Sequence, residues 1–174
     1  MNEDRKSQNQ FFECGIIHLK KAIFKYDPEE GEKYCFIYFH ALFICFFLKK
    51  DFLLHQRDKK IIIISTTEMQ SLALFYYQRF SNVLAIIDAS ESVQSIINVI
   101  REMHRKKTRH MPTESNVKSL SFREFNILLM ILNGSNAHSI ARRLNIAIKT
   151  VYAHGYTVAK KMGVRKIHDL IIFR

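Results

Sequence analysis

Apolar positions in the first hundred residues alternate between two kinds of spacing. Phe12, Ile16, Leu19 and Ile23 recur at steps of three and four within residues 11–24 and predict an amphipathic helix. The run Tyr26-Asp27-Pro28-Glu29-Glu30-Gly31 carries two structure breakers and three acids and predicts a loop. Residues 34–41 are rich in aromatic side chains and predict a strand. Residues 42–54 predict a helix. Ile61-Ile62-Ile63-Ile64 is a run of β-branched residues suited to a central parallel strand covered on both faces. Residues 68–80 predict a helix, residues 83–87 a short buried strand, and residues 90–103 a helix with Val93, Ile96, Ile97 and Ile100 on one face. Helices alternating with strands imply parallel pairing through right-handed crossovers, hence a small α/β domain.

The pattern changes after residue 118. Ser121-Phe122-Arg123-Glu124 fits a capping box, in which the Ser121 hydroxyl caps a helix and Glu124 reaches back. Phe125, Leu128, Leu129 and Leu132 form its apolar stripe, and Asn133-Gly134 ends it. Asn136 caps a second, short helix with Ile140, Ala141 and Leu144 inward. After the turn Asn145-Ile146, a third helix covers residues 148–162 with Val151, Val158 and Met162 inward, and Gly163 stops it. A last short helix holds Ile167, Leu170 and Ile171. A short helix, a tight turn and a longer basic helix make a helix-turn-helix, whose second helix enters the DNA major groove.

Charge sharpens this division. The chain has 174 residues and a net charge of +11. Residues 1–100 hold 12 basic and 12 acidic side chains, whereas residues 119–174 hold 9 and 2. A neutral apolar half joined to a basic half suggests a regulatory or assembly domain followed by a polyanion-binding one. The expected division is residues 1–103, a basic linker at 104–118 containing Pro112, and residues 119–174. Cys14, Cys35 and Cys45 are odd in number and form no Cys-x-x-Cys pair, so they are expected as buried thiols rather than disulfides or zinc ligands. The longest apolar stretch, residues 34–48, falls short of the about 20 residues that span a bilayer. The polar start lacks a signal-peptide core, so a cytoplasmic location is expected. Gly-rich phosphate loops, nucleophile elbows and paired catalytic carboxylates are missing from the sequence, which argues against an enzyme. His104 and His110 lie in the basic linker and are expected to be solvated, so neither metal nor cofactor is expected.

Leu120-Ser121-x-Arg123-Glu124, Gly134, Ile140-Ala141-x-x-Leu144-x-Ile146, Lys149-Thr150-Val151-x-x-His154 and Lys161-Met162-Gly163-Val164 together resemble the DNA-binding domain of the LuxR/NarL/FixJ family. The resemblance implies an all-α four-helix LuxR-type helix-turn-helix domain. It also implies contacts to backbone phosphates from Lys149 and Thr150, and from Lys160, Lys161 and Arg165. Tyr152, Ala153 and Tyr156 occupy its base-facing positions. His154 matches the family's His, and packing within the fold is an equal expectation for it. Arg142 and Arg143 either reach phosphates or solvate their helix. The last helix resembles the family's dimerisation helix. The chain departs from the pattern at Ala147, where a capping Ser is usual, at Ser139, where Glu is usual, and at Gly155 inside the recognition helix, which suggests a close approach to DNA.

A partner domain common in this family is the phosphoacceptor receiver, and the α/β half has a receiver-like order. A working receiver needs an Asp at the end of its third strand, an acidic cluster for Mg²⁺, a Ser or Thr, and a Lys. Ser65 or Thr66 fits the hydroxyl, but Ile87 stands where Lys is expected, with Asp88 beside it. Residues 34–41 contain no Asp. A truncated receiver-like domain without phosphorylation is therefore expected. Phe36, Tyr38, Phe39, Phe43, Phe46, Phe47, Tyr76, Tyr77 and Phe80 are candidates for core or interface. The implied partners are double-stranded DNA, a second LuxR-type chain forming a homodimer or heterodimer, and RNA polymerase as a further candidate; no membrane is implied. Two readings stay open: a dimeric sequence-specific regulator, and an auxiliary protein that pairs with another LuxR-type regulator and binds DNA poorly alone.

Overall fold

The structure is a computed structural model that describes residues 2–49, 52–53, 56–111 and 117–170, with side chains from Phe12 onward. Three parallel strands, β1 (Tyr34–Phe39), β2 (Lys60–Ser65) and β3 (Val83–Asp88), lie side by side in the order β1-β2-β3. Tyr34 pairs with Lys60 and Phe39 with Ser65; on the other side Ile64 pairs with Ile87, after an irregularity between Ile61 and Ile62. Ile61–Ile64 are buried, as a strand covered on both faces requires.

One face of the sheet carries α1 (Asn2–Ile23) and α5 (Val93–Lys106). Leu19, Phe24, Ile62, Ala85, Ile96, Ile97 and Ile100 form the core between them. Ser92 caps α5, its hydroxyl accepting from the Ser95 amide at 3.1 Å. The helix runs three residues past the expected end of the domain. His104, expected in a solvated linker, bonds the Tyr34 hydroxyl at 3.1 Å from the last turns of α5. The chain then returns to the sheet, where His110 exchanges backbone hydrogen bonds with Leu84 and Ile86 on the free edge of β3. The Arg109 guanidinium stacks on Tyr77 and bonds the carbonyls of Tyr77, Phe80 and Val83. Much of the expected linker is thus fastened down; Pro112 lies outside the described residues.

Two local expectations are corrected. Residues 26–31 are not all loop: α2 (Pro28–Glu32) forms because Asp27 accepts from the Glu30 amide at 3.0 Å and Pro28 begins the helix, where its missing N–H costs nothing. Gly31 lies against Phe24, and a Cβ there would come within 3.2 Å of the ring. The expected helix at 42–54 shrinks to a 3₁₀ turn at Ala41–Phe43 and α3 (Ile44–Phe47), with Lys50, Asp51, Leu54 and His55 outside the described residues.

The other face of the sheet carries α4 (Gln70–Arg79), where residues 70–76 are all buried. The sheet covers one side of α4, and the C-terminal helices cover the other. Phe75 stacks on Phe125 with ring centroids 4.3 Å apart, and the Ser71 hydroxyl donates to the Lys161 carbonyl at 2.7 Å. Leu128, Leu132, Val158, Met162, Ile167 and Leu170 join Phe39, Ile61, Leu72 and Ile86 in a single apolar cluster. The two halves share a core.

Among the aromatic candidates, Phe39, Phe47 and Tyr76 are core, whereas Phe46 is exposed. The cysteines are free. Cys14 is exposed and Cys35 and Cys45 half-buried, which corrects the expectation of three buried thiols.

Candidate nucleic-acid interface

The C-terminal unit is built by short-range capping. Ser121 and Glu124 make both halves of the capping box of α6 (Phe122–Leu132). Asn136 caps α7 (Ala137–Leu144) by accepting from the Ser139 amide at 2.9 Å. Gly134 and Gly163 end α6 and α8 at φ of 83° and 64°, where a Cβ is strained. Asn145, at φ 51°, makes the turn into α8 (Ile148–Lys161). Ile127, Ile140, Ala141 and Val151 lock α6, α7 and α8 together in a small core of their own.

The two faces of α8 have different fates. Val151, Val158 and Ala159 are buried. Lys149, Tyr152, Ala153, Tyr156 and Lys160 are exposed, at spacings of three, four, seven and eleven from Lys149. Those spacings confine them to an arc of about 100° on a helix of 3.6 residues per turn. Tyr152 and Tyr156 are 67% and 71% exposed. Thr150 and His154 lie half-buried on the flanks. The first turn of α8 has no side-chain cap at Ala147; the Thr150 amide turns back to the Ala147 carbonyl at 2.9 Å, and the amides of Ile148 and Lys149 at the very start are the ones open to solvent or a ligand.

Three expectations change here. Lys161 does not face outward: its Nζ lies 2.6 Å from Glu124 Oε2 and 2.9 Å from the Ser119 carbonyl, with the side chain 18% exposed. At that position on the helix the stem passes over α6, and the ammonium satisfies a buried carboxylate instead of a phosphate. Burial pushes the Glu124 carboxyl up, but Lys161 and the Ser121 amide outweigh it and hold the group below the ordinary range. Gly155 faces inward, and a Cβ there would sit 3.8 Å from Ile167 and 3.9 Å from Ile131. The last element among the described residues is a 3₁₀ turn at Ile167–Leu170, where the sequence predicts a helix, and its two end residues are buried in the shared core; Ile171 and the following residues of the expected dimerisation helix lie outside the described set.

Arg165 is exposed, and so is its neighbour Lys166, which the sequence pattern did not single out. Both line a cleft of about 520 Å³ that also meets Tyr152, Tyr156 and His168. Arg142 and Arg143 are exposed in the last turn of α7, where a cation suits the helix dipole.

Residues 118–174 match the family "Bacterial regulatory proteins, luxR family", and residues 6–104 match the "EcpR N-terminal domain" family. The chain is a LuxR-family regulator with an EcpR-type N-terminal domain. YqeH of Escherichia coli (strain K12) is 30% identical over 167 residues, covering 95% of this chain and 77% of that protein. The response regulator UvrY of the same organism is 30% identical over 120 residues, covering 62% of this chain and 55% of UvrY. Among solved structures, "Structure of two RcsB dimers bound to two parallel DNAs" is similar at a TM-score of 0.43 and 19% identity, covering 71% of this chain and 63% of that one.

In this LuxR-type transcriptional regulator the EcpR-type half carries polar side chains at the ends of its parallel strands. His40 follows β1 and accepts from the Leu42 amide at 3.2 Å. Ser65 ends β2 and Thr66 follows it. Asp88 ends β3, and its carboxylate is bound by the Gln70 amide, the Ser90 amide at 2.8 Å and the Ser90 hydroxyl at 2.6 Å. Among the described residues, no group of three or more His, Cys, Asp or Glu is placed to hold a metal ion, and no helix is long and apolar enough to cross a membrane.

Proposed function

We propose that the chain is a sequence-specific regulator that works in the cytoplasm as a dimer on an inverted repeat in double-stranded DNA. The observation that carries this is the exposed stripe of α8, presented outward while the opposite face is held in the core. In this reading Lys149 and Thr150 contact phosphates at the helix N-terminus, and Lys160 and Arg165 contact phosphates farther along. Tyr152, Ala153 and Tyr156 face base edges, and His154 supports the flank. Control does not run through phosphoryl transfer: β1 carries no carboxylate, and Asp88, which ends β3, is already bound within the fold. Abundance or a protein partner sets activity instead, with RNA polymerase as the downstream contact.

The test is a gel shift of the full chain on the DNA upstream of its own gene, with unrelated duplex as competitor. Retardation that resists the competitor, and a dimer mass in sedimentation on that duplex, are expected. Treatment with acetyl phosphate and Mg²⁺ should leave the intact mass and the affinity unchanged. Failure to retard any duplex would refute the reading.

The uncapped start of α8 at Ala147 favours a second reading, since a recognition helix that frays binds weakly by itself. In that case the chain acts as an auxiliary partner, and retardation arises only when another LuxR-type regulator is added.

A further inference from the structure

We propose that α8 reads the C5-methyl group of pyrimidines, with Tyr152, Ala153 and Tyr156 as the contacting residues. This rests on the placement of α8 in the major groove proposed above. There, each base has a characteristic reader: Arg or Lys forks onto guanine, Asn or Gln onto adenine, Asp or Glu accepts from cytosine, and apolar surface meets the thymine methyl. The exposed stripe of α8 carries none of the amides, guanidinium groups or carboxylates on that roll. Its two lysines stand at the ends, 11 residues apart, or about 16 Å along the axis at 1.5 Å per residue. That spacing is comparable to the roughly 12 Å width of the groove, so the ammonium groups reach the phosphate walls while the residues between them lie over the floor.

Those central residues are two phenol rings and a methyl group. Tyr152 and Tyr156 are one helical turn apart with most of their surface in water, and among the described residues neither hydroxyl has a hydrogen-bond partner. Two large aromatic rings left exposed on a basic helix mark a surface that is covered when the protein works. Thr157 does not compete for the floor, because its hydroxyl donates to the Ala153 carbonyl at 3.0 Å. A methyl group buried between the rings is the contact this surface makes best, and thymine and 5-methylcytosine both supply one.

The test begins with a selection of duplexes by the full chain from a randomised library. The selected duplex is then remade with deoxyuridine for thymidine, which removes only the methyl, and with 5-methylcytosine for cytosine, which adds it. Thymine enrichment in each half-site is expected, with an affinity loss of about fourfold per methyl removed, the value of one buried methyl. Tyr152→Ala and Tyr156→Ala should abolish the thymine–uracil difference, and Lys149→Ala should weaken both duplexes while preserving it. Indifference to uracil combined with tighter binding on cytosine methylation also supports the methyl reading and names 5-methylcytosine as the source. Selected duplexes that are bound equally well in all three forms would overturn it while leaving DNA binding intact. A library from which nothing is enriched would remove the groove placement itself.

Discussion

Replacing Lys161 with alanine should unfold the protein at lower temperature and leave its DNA electrostatics unchanged, whereas the same change at Lys160 should do the reverse. Lys161 holds Glu124, whose side chain is 7% exposed, and the Ser119 carbonyl. Breaking a fully buried ion pair from one side costs about 3–5 kcal/mol, because the partner charge stays behind without compensation. Lys161 keeps some contact with water, which discounts that figure to about 2–3 kcal/mol, in line with the loss of one or two charged hydrogen bonds. For a chain of this size, about 2–4 °C per kcal/mol converts that to roughly 5–10 °C in Tm. Lys160→Ala, at an exposed position, should change stability by less than about 0.5 kcal/mol. Differential scanning fluorimetry reads the first effect. Fluorescence anisotropy across a salt series reads the second, where losing one phosphate contact lowers the slope of log K against log salt by about 0.9. Glu124→Gln and the double variant close the cycle, with non-additivity expected for a direct pair. If Lys161→Ala kept its Tm and flattened the salt slope as Lys160→Ala does, the inward assignment would be wrong.

Gly155→Ala should stabilise the chain by about 1 kcal/mol, because the new methyl meets Ile131 and Ile167 at ordinary contact distance and helix propensity improves; a urea titration that moves the other way refutes this. Ala147→Ser should add the missing cap of α8, raising stability by about 0.5–2 kcal/mol by the same measurement and slowing amide exchange in its first turn. Glu30 is held down to about 2, from an ordinary 4.5, by hydrogen bonds from Lys33 and Lys60 against an opposing effect of burial. A carboxylate with a depressed pKa stabilises the fold above its unfolded value, so this contribution is present at neutral pH and is lost as pH falls from about 4.5 to about 2. Glu30→Gln should flatten that part of the stability–pH curve, and an unchanged curve would count against the pairing.

The features legible in the sequence are those made within a few residues of chain. The Ser121–Glu124 box, the Asn136 cap, the Gly134 and Gly163 stops and the run of isoleucines in β2 depend on neighbours three or four positions away, or on composition alone. The same holds for the outward stripe of α8, because helical periodicity assigns residues to faces. Asp27-Pro28 was a helix start of the same local kind, hidden by the breakers around it.

Other properties depend on what docks where. Residues 70–76 follow no amphipathic pattern because α4 is covered on both sides, by the sheet and by the helix-turn-helix, and only the assembled fold provides the second cover. That docking also turns Ile167 and Leu170 into core and turns Gly155 toward Ile131. Lys160 and Lys161 are chemically identical neighbours, yet one helical step of 100° carries the first to solvent and the second over α6, where a buried carboxylate already waits. The sequence by itself determined most of the elements, their caps and which residues share the exposed face of α8. Only the tertiary structure decided that both halves share one core, because the burial of an apolar face depends on a partner far away in the chain.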